Sequence, residues 1–508
     1  MDPKIQTEKF IEKKEKTSVT VEQIVESDLS LPDYYGDIVK ILSCSCSANI
    51  TSAAAAGDKA VIDGNADIRM LFISGEGKTE ICELSYPFSR DADVKDPQEN
   101  DVVYAQVVSE QITCRAVNPR RADIRGSLTI KISVFGVEEK TIVSDADPDF
   151  CHTLKNHAEG SFLSGFIQKT FYLNDTAEIK DNLKAVKIYR ACVLPAVNEV
   201  KTIKNKMMIK GNARADIVFL SDNGSFVTQS VVVPVSQIAD MDGIDENTEC
   251  RVVLKCMSLD AKLSPDSPNT PSKLEISMIL TAFIDAYKAR SFSAVSDAYS
   301  SRCELVSADK TVKCISSLVR VNENFTVTSK MDFSSCKGER LLDAAVRKIR
   351  YTVQTEADSV ILKGNINFGL ILETAESERL YLERVADFEY RKQLTEQSEC
   401  AEFDPVITPN AVNVSVASDF SAVVNTELHI DGYIISGREI KCLSELNEGK
   451  DISRNSDDGV ITVYFASKDE SLWNIAKSHG TGVEVIKSLN GLTEDCLAED
   501  KMLVFPLE

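Results

Sequence analysis

At 508 residues, 43% hydrophobic and 27% charged, the chain is globular and too long for one ordinary domain, so three or four are expected. Its net charge of −22 excludes the usual nucleic-acid and anionic-membrane binders, whose partners carry phosphates that such a surface repels. No run approaches the ~18 apolar residues that span a bilayer, so no membrane insertion is expected. In chain order, residues 1–18 come first. They are rich in Lys and Glu and predict an N-terminal arm or short helix, and they lack the apolar core of an export signal, which argues for a cytoplasmic chain.

From there to residue 447 the sequence repeats itself. Ala60–Phe72, Met207–Phe219 and Val360–Leu372 share an apolar, alternating pattern centred on Gly64-Asn65, Gly211-Asn212 and Gly364-Asn365. The glycines are 147 (211 − 64) and 153 (364 − 211) residues apart. Pro87-Phe88, Pro234-Val235 and Asp387-Phe388 each follow at the same offset, with the proline lost from the last. Alternation of period two predicts strands with one buried face, and a glycine inside such a run predicts a bulge or a close backbone approach. Ser74-Gly-Glu-Gly77 and Ser221-Asp-Asn-Gly224 supply hairpin turns. Leu128–Phe135, Leu274–Phe283 and Ala422–Ile435 read as further strands, and Ser264–Pro271 as a Pro-rich loop between late strands. Expected copies span 19–150, 165–300 and 305–447, with 448–459 as a linker.

The fourteen cysteines include no Cys-x-x-Cys and predict free, mostly buried thiols in a reducing compartment. Cys151, His152 and His157 lack the further ligands that structural zinc needs and read as a polar connector between repeats. The basic pairs and clusters, Arg120-Arg121 and Arg347–Arg350, read as solvated faces. No phosphate-binding Gly-rich loop and no Gly-x-Ser-x-Gly elbow occurs, so neither nucleotide hydrolysis nor other catalysis is expected, and no cofactor.

Residues 460–508 form a distinct module. Gly459–Ala466 alternates Ile461, Val463 and Phe465 against Thr462, Tyr464 and Ala466, and one of these sets is expected to face inward. Asp469 or Ser471 is placed to cap a helix whose inner face is Leu472, Ile475, Ala476 and His479, and Gly480 stops it. A second helix runs from Val483 to Leu489 with Val483, Ile486 and Leu489 inward, ends at Asn490-Gly491, and Met502–Phe505 returns as a strand. Trp473, the single tryptophan, lies off the inward stripe; it reads either as a brace on a small core or as a contact residue. Ile461 and Trp473 are the candidate protein-docking residues.

This module resembles LysM, a small carbohydrate-binding unit of cell-wall and spore-envelope proteins. The resemblance implies a βααβ fold and a glycan groove between two loops, here Asp469, Glu470, Ser471 and Leu472 on one side and Asn490, Gly491 and Leu492 on the other. LysM modules usually carry Gly-Asp-Thr in the first loop and Pro-Gly before the last strand; here Asp469-Glu470-Ser471 and Glu499-Asp500 stand there. Four basic and eight acidic residues in Ile461–Glu508 leave the module at −4, which favours a protein ligand over a sugar. Upstream, Leu29-Ser-Leu-Pro32, Asp37–Leu42, the Gly64 hairpin, Tyr86–Ser89 and Asn118-Pro119-Arg120 resemble the SPOCS domain of sporulating Firmicutes. Tandem SPOCS copies closed by one LysM resemble the coat-morphogenesis proteins of that group. The resemblance implies a mainly β protein of three tandem sandwich-like SPOCS repeats and a small LysM domain. It further implies a non-enzymatic adaptor in the mother-cell cytoplasm at the forespore surface. The implied partner is the ATP-hydrolysing polymer of the coat basement layer, a stage IV sporulation protein A-like protein. The alternative is a LysM protein that binds peptidoglycan or N-acetylglucosamine chains of cortex or wall.

Overall fold

The structure, a computed structural model, describes residues 5–148, 151–180, 184–264, 273–333, 338–356, 358–374, 376, 378–394, 400–418, 421–452 and 462–505. The alternating runs become long antiparallel strands. In the first unit these are β1 (Ile5–Ser30), β2 (Ile38–Ala56), β3 (Lys59–Ser74), β4 (Thr79–Asp93), β5 (Val102–Asn118) and β6 (Arg121–Ala146). β6 is flanked by β1 and β5 in one sheet, and β2-β3-β4 meander through a second. The second unit has the same order in β7 (His152–Glu178), β8 (Ala185–Ile203), β9 (Lys206–Ser221), β10 (Phe226–Asp240), β11 (Glu249–Leu263) and β12 (Lys273–Tyr299). The third follows in β13 (Cys303–Asp332), β14 (Gly338–Thr355), β15 (Ser359–Thr374), β16 (Arg379–Gln393), β17 (Cys400–Phe403), β18 (Val406–Ser418) and β19 (Ser421–Asp451). There β17 and β18 share the place taken by one strand in the other units, both pairing with β19. The protein is mainly β.

Each unit closes its two sheets over one apolar core. In the first, Ile62 and Ile68 of β3 meet Ile124 and Ile130 of β6; in the second, Ile209 and Ile217 meet Leu274 and Leu280; in the third, Leu362 and Phe368 meet Val424 and Leu428. All twelve are at most 1% exposed, which removes on the order of 2 kcal/mol of apolar surface per side chain from water.

The three repeat glycines hold one position. Gly64 pairs with Phe88 and Ile50, Gly211 with Val235 and Val197, and Gly364 with Phe388 and Tyr351. A Cβ there would lie 2.4 Å from the Asn49 carbonyl oxygen, 2.1 Å from that of Ala196 and 2.2 Å from that of Arg350. Glycine is required because the neighbouring backbone already fills the space. Bulges keep the same spacing: Ile38/Lys40, Ala185/Lys187 and Gly338/Arg340, then Ile41/Ser43, Ile188/Arg190 and Leu341/Asp343. A third bulge sits at Ile50/Ser52 and Val197/Glu199, but in the third unit it falls earlier, at Val346/Lys348.

The units meet around a common centre, through equivalent residues. At the meander end, Leu42, Tyr189 and Leu342 pack with Leu71, Val218 and Ile371, again at spacings of 147 and 153. At the other end, Ile142, Phe292 and Cys442, spaced 150 apart, join Phe10 and Phe162 in a second shared core. The Phe10, Phe162 and Phe292 rings lie 4.7–5.2 Å from one another.

Several expectations are corrected. Residues 5–18 are neither a free arm nor a helix; they are the outer half of β1, paired with β6 throughout. Phe10, 3% exposed, anchors that half in the shared core, and the charges that suggested solvation make cross-strand pairs, Lys9–Glu139 and Lys14–Glu138. For the same reason the second unit begins at 152 rather than 165: its first strand extends beyond its own core into the central one. Residues 448–451 of the expected linker belong to β19, and 453–459 lie outside the described residues. Most of the Pro-rich loop, 265–271, lies outside them too. Cys44 and Cys114 are not free thiols but form a disulfide, Cα–Cα 5.7 Å, that ties the β2 edge of one sheet to the β5 edge of the other. Arg120, read as part of a solvated pair, donates to the Leu31, Pro32 and Tyr35 carbonyls and so gathers the SPOCS-like motif residues at one corner.

Candidate functional site

The C-terminal module consists of β20 (Thr462–Ala466), α1 (Leu472–His479), α2 (Val483–Asn490) and β21 (Lys501–Phe505), with β20 and β21 paired antiparallel. Ser471 caps α1, its hydroxyl accepting from the Trp473 N–H at 3.2 Å, and Gly480 (φ 60°) and Gly491 (φ 61°) close the two helices in the left-handed region. Leu472, Ile475, Ala476, Ile486 and Leu503 form the core. His479 covers it from the side, stacked 4.3 Å from the Phe505 ring. Leu489, expected inward, is 52% exposed because α2 turns only one residue, Ile486, fully into this small core.

Most of the predicted groove residues are engaged by their own module. Asp469 adopts φ +65°, a conformation that suits the glycine usual in LysM loops. Its N–H donates to the Leu497 carbonyl at 2.8 Å, that of Glu470 to Ser467 at 3.2 Å, and that of Leu472 to Asp495 at 2.8 Å. The Glu470 carboxylate accepts from the Tyr464 hydroxyl and the Ser467 N–H. Leu472 is fully buried. Asn490 clamps α2 to β21: its amide donates to the Ile486 and Val504 carbonyls and its oxygen accepts from the Val504 N–H, all at 2.8–2.9 Å. Gly491 is the helix stop, and the Leu492 N–H donates to the Lys487 carbonyl while its side chain packs on the core. Of the named groove residues, Asp469 and Gly491 are exposed.

Of the two docking candidates, Ile461 lies outside the described residues. Trp473 is occupied within the chain. Its indole N–H donates to Asp297 Oδ2 at 2.8 Å, its ring meets Tyr299 edge-on at 4.9 Å, and Lys477 reaches the same carboxylate at 2.7 Å. The Tyr299 hydroxyl donates to the Thr481 carbonyl at 2.7 Å, and His152 stacks behind Tyr299 at 5.0 Å. A half-buried indole needs an acceptor, and the end of β12 provides it. The Asp297 carboxyl is pushed up by burial, but the hydrogen bonds from Lys477 and Trp473 outweigh this and hold it below its ordinary value.

Sequence reasoning left open which face of β20 turns outward. Tyr464 and Ala466 face the core, while Val463 (44% exposed) and Phe465 (78%) face solvent beside Met502 (54%). The register makes these one surface, with Phe465 opposite Met502 and Val463 opposite Val504. The alternation alone points the other way, since the bulkier apolar set is the one turned to solvent.

His157 bonds the Ser293 hydroxyl at 2.8 Å, and among the described residues no three His, Cys, Asp or Glu side chains gather as a metal site. No helix among them is long and apolar enough to cross a membrane. The SipL, SPOCS domain model matches residues 37–117 and 184–264, and the LysM domain model matches 467–506. No curated protein and no solved structure matches. The SPOCS matches fall on β2–β5 and β8–β11, and both domain types are binding modules rather than catalytic ones. The chain thus carries two SPOCS domains of the SipL type ahead of a C-terminal LysM domain.

Proposed function

We propose that this protein is a non-enzymatic adaptor of spore-coat assembly. It docks through its LysM domain on the coat basement-layer ATPase, a stage IV sporulation protein A-like polymer, at the forespore surface in the mother-cell cytoplasm. The third unit is a diverged third SPOCS copy, a reading supported by Gly364, by two of its three bulges and by Leu342 and Ile371 at the repeat spacing. The observation that carries the docking reading is the apolar outer face of β20 and β21. Phe465, Val463 and Met502 form a rigid, exposed patch, and burying one such side chain in a partner is worth about 2 kcal/mol. The groove loops support the same reading, because the N–H groups of Asp469, Glu470, Leu472 and Leu492 are already donated within the module and are not free for a sugar amide.

The competing glycan reading rests on the LysM match and on the exposed loop tips at Asp469 and Gly491. One pair of titrations on the full chain separates the two. The basement-layer ATPase is expected to bind saturably, at least about tenfold more weakly to Phe465→Lys, with the circular dichroism unchanged and no saturation by chito-oligosaccharides at millimolar concentration. Saturable micromolar binding of the oligosaccharide, unaffected by Phe465→Lys and without capture of the ATPase, would reverse the assignment.

A further inference from the structure

Where the three units face one another they enclose a partly open cavity of ≈ 1450 Å³, walled by β2 and β5 of the first, β8 and β9 of the second, and β14 and β18 of the third. Such a volume exceeds that of ordinary small-ligand pockets. In a chain of net charge −22 its wall is notably cationic. Two of the cations are neutralised, Arg190 by Asp343 at 2.7 Å and Arg214 by Asp216 at 3.1 Å. Three others, Arg347, Lys348 and Arg350, come from one strand, β14, and make no ion pair among the described residues. The Arg347 guanidinium is held by two neutral groups, the hydroxyls of Tyr189 at 3.1 Å and Tyr381 at 3.2 Å, and lies over both rings. Lys348 donates to the Val108 carbonyl, and burial, then the Arg350 charge, push its ammonium below the ordinary value. Of the carboxylates on the wall, Glu110 accepts the Ala48 N–H and also feels the Lys348 and Arg347 charges, while Glu383 accepts the Tyr381 hydroxyl and the Asn367 amide.

The backbone explains why these cations gather here. The third bulge, which in the other units follows Ile50 and Val197, has moved forward in the third unit to Val346/Lys348, so Arg347 is the extra, unpaired residue of the ladder. A bulge re-aims the side chains around it, and such features mark the borders of sites. The three cations outnumber Glu110 and Glu383, the wall carboxylates left to face them; Arg347 and Lys348 are partly desolvated and Arg350 is exposed, and a partly desolvated cation in excess is costly unless a further anion joins it. We propose that this cavity binds a small polyanion, one carrying two or more phosphate or carboxylate groups, which bridges Arg347, Lys348 and Arg350. The guanidinium forks suit either oxyanion, bidentate and in-plane.

Calorimetric titration of the full chain at low salt with inorganic tripolyphosphate, and separately with citrate, tests this and distinguishes phosphate from carboxylate. One saturable site is expected for at least one probe, with Kd of about 100 µM or tighter and a matching rise in Tm. The double variant Lys348→Gln/Arg350→Gln spares the Tyr-held Arg347 and should weaken binding at least about tenfold. Lys9→Gln/Lys14→Gln, at exposed positions of β1 away from the cavity wall, should leave it unchanged. Absence of saturable binding of both probes at millimolar concentration overturns the proposal, as does equal weakening in the two double variants.

Discussion

Gly211→Val is expected to abolish the native second unit, with a cost above about 4 kcal/mol. The new Cβ would stand 2.1 Å from the Ala196 carbonyl oxygen, 3.1 Å from its carbon and 3.2 Å from the Val197 Cα. All three are backbone atoms of a paired strand, so no rotamer change relieves the overlap; β8 must leave β9. Methyl branches would then press on the same ladder. Gly57 offers the contrast. It sits in a turn at φ +64° with nothing within 4 Å of a Cβ, so Gly57→Ala carries only the strain of the left-handed conformation, about 1 kcal/mol. Urea unfolding followed by hydrogen exchange resolved along the chain is the appropriate measurement, since several units need not unfold together. Protection in β8–β10 should vanish in Gly211→Val and persist in Gly57→Ala. Wild-type protection of β9 in the valine variant would mean that the three glycines do not hold the position assigned to them.

The second large effect concerns the LysM contact. Asp297→Ala removes the acceptor of the Trp473 indole and the counter-charge of Lys477. Hydrogen bonds to a charged group of this kind contribute about 2 kcal/mol, a factor of roughly 30 in the docked-to-free ratio. The module keeps its own core of Leu472, Ile475 and Leu503, so the docked population should fall without the module unfolding. Trp473 is the single tryptophan, so its emission reads the contact without ambiguity: it should shift to the red in Asp297→Ala, while far-ultraviolet dichroism stays constant. The pH dependence follows from the lowered Asp297 value. A depressed carboxyl stabilises the docked form fully above the ordinary Asp value of about 3.9 and loses that contribution as pH falls through the lowered one. Emission should therefore be flat from pH 7 to about 5. A blue, solvent-shielded emission retained in Asp297→Ala would exclude the contact.

The strand pattern, the glycine register and the hairpin turns were legible because each is a local property of period two or of a turn residue. The helix ends of the module were legible for the same reason, as the two glycine stops and a cap at Asp469 or Ser471, of which the structure uses Ser471. What the sequence concealed is relational. Trp473 meets Asp297 across 176 positions, and no local feature of either residue names the other. Leu42, Tyr189 and Leu342 share one site around the centre but not one residue type, so the junction of the units left no recurrent motif. Lys and Glu in residues 5–18 outweighed the lone Phe10 in any compositional reading, although the tertiary core it enters decides the conformation. Arg347–Arg350 looked like a solvated cluster because the cavity it borders forms only where the two other units face its own.

On the function proposed above, the LysM domain turns its tryptophan face to its own chain and offers the outer face of its two strands to a protein. Hydrogen exchange of the full chain, alone and with the basement-layer ATPase, tests it most directly. New protection is expected in Thr462–Ala466 and Lys501–Phe505, with Leu472–His479 unchanged. Protection confined to the loops at 468–472 and 490–494, or loss of protection in α1 on binding, would contradict it.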